Sequence, residues 1–293
     1  MDAKDGRSWL ITGTSSGLGR ALVQAAAARG DRVMATAREL GQIAELEALA
    51  PGRVRTARLD VTDGSSIGAA VAEAEEAFGG IDVLVNNAGS ALLGAFEEHG
   101  DEELRAAFET NLFGALAVTR AVLPGMRARR SGHVVQMSSV VGVTSGAGGT
   151  AYAGPKAALE AMSEALAAEV AALGIRVTIV EPGPFRTDFG GRSLSWGQPM
   201  EDYAALIGPA RAAFEASHGT QSGDPMRGAE AIIDAVERAD SPLRVPLGAE
   251  AYQWIRGYLS GRLTELDKAE PIGADTALRP EAAEATADAV ARN

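Results

Sequence analysis

The chain has 293 residues, 46% of them hydrophobic, which is enough to bury a full core, and its 27 Lys and Arg against 39 Asp and Glu leave a net charge of -12. That sign argues against a nucleic-acid binder, which needs a basic face to displace counterions, and the absence of cysteine removes disulfides, thiolate catalysis and zinc–thiolate sites together. His99, His133 and His218 are scattered without ligand spacing, no apolar run approaches the roughly 20 residues that span a bilayer, and Met1-Asp2-Ala3-Lys4-Asp5 is not a signal sequence, so the expectation is a cytoplasmic protein with no metal and no membrane contact.

Residues 7–12 form a short apolar run that reads as a buried strand. It breaks into Gly13-Thr14-Ser15-Ser16-Gly17-Leu18-Gly19, and an alanine-rich helical stretch follows to residue 28. Glycines let a backbone approach a ligand closely, and a helix N-terminus offers unpaired N–H groups and the positive end of a dipole, so this loop suits a pyrophosphate. Residues 32–37 read as a second strand ending in Ala37-Arg38. An acidic residue normally holds the ribose hydroxyls in that region of a dinucleotide fold. Arginine there would instead pair with a ribose phosphate, which favours NADP(H) over NAD(H). Residues 53–59 form a third strand that ends at Asp60-Val61, where Asp60 either reaches an adenine amino group or starts a turn and caps the helix expected over 67–78.

Residues 81–85 read as a fourth strand, apolar on both faces apart from Asp82, and run into Asn86-Asn87-Ala88-Gly89. Ligands bind at the carboxyl ends of open parallel sheets, and two asparagines with a glycine suit a strained loop or a ribose. A long helix is expected over 101–129. Asn111 in its middle is a poor helix-interior residue, which implies a bonding task or a local bend. Residues 133–137 deliver Ser138-Ser139, a flexible segment covers 140–149, and a helix carries Tyr152 onward to about residue 173. On that helix Tyr152 and Lys156 are four residues apart and share a face. A cation beside a phenol lowers its pKa from about 10 toward neutrality, which makes Tyr152 a candidate acid or base, with Ser139 donating a second hydrogen bond to a substrate oxygen. Residues 175–180 form a sixth strand before Glu181-Pro182-Gly183-Pro184. The strand–helix alternation predicts an α/β, doubly wound parallel sheet of Rossmann type.

Taken in order, Thr12-Gly13-x-x-x-Gly17-x-Gly19, Asp60-Val61, Asn86-Asn87-Ala88-Gly89, Asn111, Ser139, Tyr152-x-x-x-Lys156 and Pro182-Gly183 with Thr187 beyond resemble the classical short-chain dehydrogenase/reductase family over residues 7 to about 247. A softer likeness, through Gly191-Arg192-Ser193-Leu194, Asp202-Tyr203 and Gly223-Asp224-Pro225, is to bacterial members grouped with steroid-dehydrogenase-like proteins. The resemblance implies hydride transfer between a nicotinamide and a carbonyl carbon, with a ketone or secondary alcohol as substrate. It makes Tyr152 the acid/base, Ser139 the orienter of the substrate oxygen, Lys156 both ribose ligand and pKa-lowering charge, and Asn111 the holder of a water that continues the proton path. Gly13, Ser15, Ser16, Gly17, Leu18, Gly19, Arg38, Asp60, Val61, Asn87, Ala88, Gly89, Pro182, Gly183 and Thr187 would then bind NADP together with Tyr152 and Lys156, and Thr187 with the backbone after Gly183 would hold the carboxamide. A homodimer or homotetramer is the family's usual assembly.

Pro155 departs from the family pattern, in which a small residue stands there. Proline lacks the N–H and clashes with the carbonyl four residues earlier, so a first-turn placement or a slight bend is expected, with Lys156 still reaching the cofactor. Phe185, Phe189, Leu194, Trp196, Met200, Tyr203 and Leu206 suit a mobile apolar lid over about 185–225, and Val143, Ser145 and Ala147 would line the same pocket. A helix over 226–239, a last strand over 243–247 and a helix over 249–266 complete a domain of residues 1–269, and 270–293 reads as a solvated tail. Two other readings use the same fold: a non-catalytic NADPH-sensing regulator, which would not need the proton-relay residues, and a sugar-nucleotide epimerase or dehydratase, whose glycine loop is shorter-spaced.

Overall fold

The computed structural model describes residues 6–277. Contacts divide these residues into two contiguous units, 6–254 and 255–277. In chain order the first unit contains β1 (Ser8–Ile11), α1 (Gly17–Ala28), β2 (Arg32–Ala37), β3 (Val54–Arg58), α2 (Gly64–Phe78), β4 (Val83–Asn86), β5 (Ala91–Leu93), α3 (Asp101–Phe108) and α4 (Gly114–Arg129). It continues through β6 (Gly132–Met137), α5 (Val140–Val143), α6 (Thr150–Ala171), β7 (Ile175–Pro182), α7 (Phe189–Arg192), β8 (Leu194–Trp196), α8 (Ala204–Ala216), α9 (Pro225–Glu237) and β9 (Arg244–Leu247). A further helix, α10 (Ala249–Gly273), begins in the first unit and makes up most of the second.

Seven strands form one sheet in the order β3-β2-β1-β4-β6-β7-β9, all pairs parallel. Side chains alternate between its faces, as strand geometry requires. Trp9 and Ile11 of β1 and Val83 and Val85 of β4 join the apolar layer under α1 and α9, whereas Leu10 and Leu84 join the layer under α2 and α4. Continuous apolar runs such as Trp-Leu-Ile and Val-Leu-Val therefore bury both faces at once. Pro246, which cannot donate to a ladder, sits on the edge strand β9 opposite Glu181. The order of strands reverses between β1 and β4, so their carboxyl ends diverge into a crevice at that switch point.

Several expectations need correction. The helix expected over 101–129 is interrupted by a π-turn at Glu109–Phe113, where the N–H of Gly114 bonds the carbonyl of Glu109 five residues back. The segment expected to be flexible after Ser139 opens with the short α5, capped by the Ser139 hydroxyl, which accepts from the Val141 N–H. A small parallel pair, β5 with β8, ties residues 91–93 to the expected lid, which is therefore built from regular elements rather than loose chain. Helix α10 continues past residue 266 to Gly273. Its second-unit portion exposes Leu259, Leu263, Leu266 and Ile272, with the Arg262 guanidinium 6.0 Å from the Tyr258 ring centre. The tail beyond residue 277 lies outside the described residues.

Candidate active site

The loop from β1 into α1 is fixed by side chains from the end of β4. The Thr12 hydroxyl accepts from the N–H groups of Asn87 (2.9 Å) and Ala88 (3.0 Å), and the Asn87 amide donates to the carbonyls of Thr12 and Gly13, both at 2.9 Å. Gly13 stands at φ +70°, and a Cβ there would come within 2.8 Å of the Ala88 Cα. At Gly19 a Cβ would strike the Asn87 amide. Asn87 and Ala88 thus support the loop, while Asn86 turns into the sheet and donates to Thr119 and Gln136.

Helix α1 begins with its end open. Ser16 at the N-cap makes no side-chain hydrogen bond and no acidic residue lies in the first turn, so the leading N–H groups are available to an anion. Gly17, at φ +59°, would place a Cβ 3.4 Å from Thr187, which brings Thr187, four residues past Gly183, beside this loop. These features, an uncapped helix end and glycine positions that side chains would fill, fit a dinucleotide. Ser15 and Leu18 belong to the same turn, with Leu18 also packed against the core under α1 and α9. Gly183 is held by its N–H to the Leu247 carbonyl at 3.0 Å.

Past the end of β3, Asp60 makes a turn by accepting from the Thr62 N–H and hydroxyl at 3.0 and 2.8 Å. Asp63, not Asp60, caps α2. Hydrogen bonds from Thr62, with the charges of Arg38 and Arg58 adding to them, hold the Asp60 carboxyl below the usual range. Arg58 lies beside Ala37 in the β2–β3 register, so a second guanidinium stands near Arg38. The signal for it was the partner position across the sheet, which no single-strand motif records. Val61 packs against Gly114.

Tyr152, Lys156, Ser139 and Asn111 converge from α6, β6 and the π-turn. Lys156, 4% exposed, donates to the Met137 carbonyl at 2.7 Å and lies 6.0 Å from the centre of the Tyr152 ring. A Cβ on Gly89 would stand 2.8 Å from Asn111 Oδ1 and 3.4 Å from Lys156 Nζ, so those two groups meet over that glycine. The Asn111 side chain makes three hydrogen bonds: Oδ1 accepts from Ser90 N–H at 3.1 Å, and Nδ2 donates to the carbonyls of Ser90 and Ala107, each at 2.9 Å. The π-turn is the bonding task that an asparagine inside a helix signalled, and its side chain takes up the Ala107 carbonyl.

Pro155 lies in the second turn, because α6 starts at Thr150, so the first-turn placement is corrected. The helix nevertheless runs through it, and Lys156 stays on the Tyr152 side. A second correction concerns the phenol. Burial pushes the Tyr152 pKa up to about 12, with the Ser139 hydroxyl pulling the other way, and burial draws Lys156 down to about 8 against the charge of Glu160. Removal from water outweighs the ammonium, which is directed to a carbonyl rather than to the phenol oxygen. Tyr152 keeps part of its surface open, which tempers the burial effect.

On the substrate side, the Phe189 ring lies 5.9 Å from the Tyr152 ring and Ile207 reaches Gly148. Trp196 stacks edge-on with Phe214 at 6.2 Å and lies under the Arg211 guanidinium. Phe214 and Ile207 were missed in the sequence because α8 lacks a motif. Side chains and backbone hold this region together: the Glu98 carboxylate accepts from the N–H groups of Ala95 (2.8 Å) and Met200 (3.0 Å), the Glu98 carbonyl takes Gln198 N–H, and the Tyr203 hydroxyl bonds the Glu97 carboxylate. Among the described residues no helix is long and apolar enough to cross a membrane.

Comparison with known proteins places this geometry among relatives. The family model for short chain dehydrogenases matches residues 7–197. Oxidoreductase BOA17 of Botryotinia fuckeliana (strain B05.10) is 38% identical over 247 residues, covering 84% of this chain and 90% of that protein. Human retinol dehydrogenase 8 is 36% identical over 255 residues, 81% of this chain and 80% of that protein. The crystal structure of a short-chain dehydrogenase from Streptomyces avermitilis superposes with a TM-score of 0.88 at 44% identity, covering 94% of this chain and all of that one.

Proposed function

The chain belongs to the short-chain dehydrogenase family, and from that premise we propose that it is an oxidoreductase interconverting a ketone and a secondary alcohol with NADP(H). The bound dinucleotide supplies the hydride for reduction and accepts it in oxidation. Tyr152 gives its proton to the substrate oxygen in reduction. A phenol with its pKa near 12 holds that proton through the neutral range. Ser139 donates the second hydrogen bond to the same oxygen as charge builds there, which helps the transition state more than the ground state. Lys156 holds the ribose and restores the tyrosine's proton, and Asn111 fixes the π-turn backbone beside it.

The observation that carries this reading is the buried Lys156, set between the Tyr152 ring and the Asn111–Gly89 junction. A binding protein has no use for so costly an ammonium beside a phenol. Arg38 and Arg58 together favour a ribose phosphate over a free diol. The apolar groups around Tyr152 favour a bulky apolar substrate, and one relative is named for retinol, an alcohol of that kind.

The test is binding of NADPH and NADH to wild type and Arg38→Ala, followed by ketone reduction on the same samples. Arg38→Ala should weaken NADPH by about tenfold or more and leave NADH within about twofold. Tyr152→Phe should lose about a thousandfold in turnover without loss of NADPH binding. Equal affinity for the two dinucleotides in wild type would remove the phosphate assignment, and full turnover in Tyr152→Phe would remove the proton donor.

A further inference from the structure

Beneath the site lies a cluster of charges that the reading above leaves unused. Glu160, one turn beyond Lys156 on α6, is 3% exposed. Its Oε1 accepts from the Ser138 hydroxyl at 2.5 Å and its Oε2 from Arg244 Nη1 at 2.6 Å. The same Arg244 nitrogen donates to Glu181 Oε1 at 2.5 Å, and Nε and Nη2 reach Glu164 at 3.1 and 2.9 Å. Glu181, 1% exposed, immediately precedes Pro182-Gly183. A Cβ on Gly142 would collide with Glu160 Oε1 and lie 2.7 Å from the Ser138 hydroxyl, so the chain leaving Ser139 rests directly on this carboxylate.

Each anchor of the cluster adjoins a residue of the site. Ser138 precedes Ser139, Glu160 follows Lys156 by one turn, and Glu181 leads into the Pro182-Gly183 corner. Arg244 is 34% exposed whereas Glu160 and Glu181 are buried, and the desolvation of the two carboxylates offsets much of what such pairs contribute to stability. Placement is what they supply. The charged and polar groups facing Glu160 are Lys156 and Glu164 from α6, Ser138 from β6, Glu181 from β7 and Arg244 from β9. Burial opposes the charge on Arg244, and the carboxylates, Glu160 foremost, outweigh it and hold its pKa above the ordinary value. Burial pushes the Glu181 carboxyl up, with Arg244 acting against it.

We propose that Glu160 is the positioning residue of the active site, whose carboxylate locks the Ser139 strand end, the Lys156 helix and, through Arg244, the Pro182-Gly183 corner into one unit while keeping a negative charge beneath the Lys156 ammonium. The assignment rests on the reading of Ser139, Tyr152 and Lys156 as the reacting trio. Substitution of Glu160 should therefore disturb both the charge on Lys156 and the turnover, while the dinucleotide still binds.

The sequence contains three lysines, Lys4, Lys156 and Lys268, so Lys156 can be titrated directly by NMR in the full chain labelled with ¹³C-lysine, its signal identified by loss in Lys156→Met. The wild-type midpoint should lie near 8. Glu160→Gln should lower it by about half a unit or more, whereas Glu160→Asp and Ser138→Ala, which keep the charge, should leave it in place. With NADPH and 1-phenyl-1,2-propanedione as probe, kcat should fall by about tenfold or more in Glu160→Gln, Glu160→Asp and Ser138→Ala, with the NADPH Kd rising by a clearly smaller factor because the glycine loop and the Arg38 end stay in place. An unmoved Lys156 midpoint in Glu160→Gln, or wild-type kcat in Ser138→Ala, overturns the proposal; the second holds even if Glu160→Gln does not fold. Loss of kcat in step with loss of NADPH binding overturns it too, since a general loosening of the fold then explains both. A wild-type protein that binds NADPH but leaves the dione unreduced is a failure of the functional reading, and the Lys156 titration still decides the role of Glu160.

Discussion

The two walls of the crevice are held by different means. On the dinucleotide wall, side chains do the holding: Thr12 and Asn87 fix the phosphate loop, Asn111 fixes the π-turn, and Lys156 reaches the Met137 carbonyl. On the facing wall, the expected lid is joined to the body by the main-chain β5–β8 ladder, with the Glu98 carboxylate accepting main-chain N–H groups beside it. A wall held by side chains demands particular residues at particular positions. A main-chain ladder accepts almost any residue, which leaves the lid side chains free to suit a substrate.

The contrast can be broken most sharply at Gly89. An added methyl there must displace Asn111 Oδ1, at 2.8 Å, and crowd Lys156. Gly89→Ala should lower turnover by about a hundredfold, as misplacements near an ångström do, with little change in the lid. Steady-state kinetics with matched NADPH binding would show it; turnover within a few fold of wild type would mean that this wall is less rigid than its hydrogen bonds suggest. An intermediate effect is expected at Glu98, whose carboxylate holds main-chain N–H groups on both sides of the lid junction. Glu98→Ala strands the Ala95 and Met200 N–H groups. Hydrogen exchange over residues 194–203 should quicken by about tenfold or more, and substrate KM should rise while NADPH affinity holds. Unchanged exchange in that variant would place the latch in the β5–β8 ladder alone. The smallest effect belongs to Phe189, whose ring faces Tyr152 across 5.9 Å. Phe189→Ala should raise KM for aromatic ketones by about fivefold, the equivalent of about 1 kcal/mol of ring contact, and leave kcat nearly alone. An equal change for small aliphatic ketones would show that the ring shapes the site rather than touching the substrate.

The same contrast explains what was legible in the sequence. The glycine loop after β1 and the shared face of Tyr152 and Lys156 follow from residue types that geometry and chemistry restrict, such as glycine at φ +70° or asparagine inside a helix, whereas the strand order was not legible. The sheet itself was legible as apolar runs separated by helical stretches. Three-residue strands such as β5 and β8 have no period to detect, and their pairing joins residues more than a hundred positions apart. Arg58 and Glu160 were illegible for a related reason: each matters through a neighbour on another element, Asp60 beside one and Ser138 with Arg244 beside the other. Tyr152 shows a limit of another kind. Spacing placed the ammonium near the phenol, but the sign of the pKa shift depended on burial and on the Met137 carbonyl, which only the fold supplies.

The π-turn at Glu109–Phe113 has a consequence for chain length. An α-helix advances about 100° per residue, whereas this turn closes over five residues instead of four and so takes up one extra residue with little change in the angular phase between α3 and α4. Removing one residue from the turn would restore an ordinary helix with that phase nearly kept, so the loss there is the placement of Asn111 at the Gly89 junction rather than the packing of either half. A deletion scan across residues 101–129 should therefore destabilise most within α3 and α4, where each deletion turns the helix beyond it by about 100°, and least within residues 109–113.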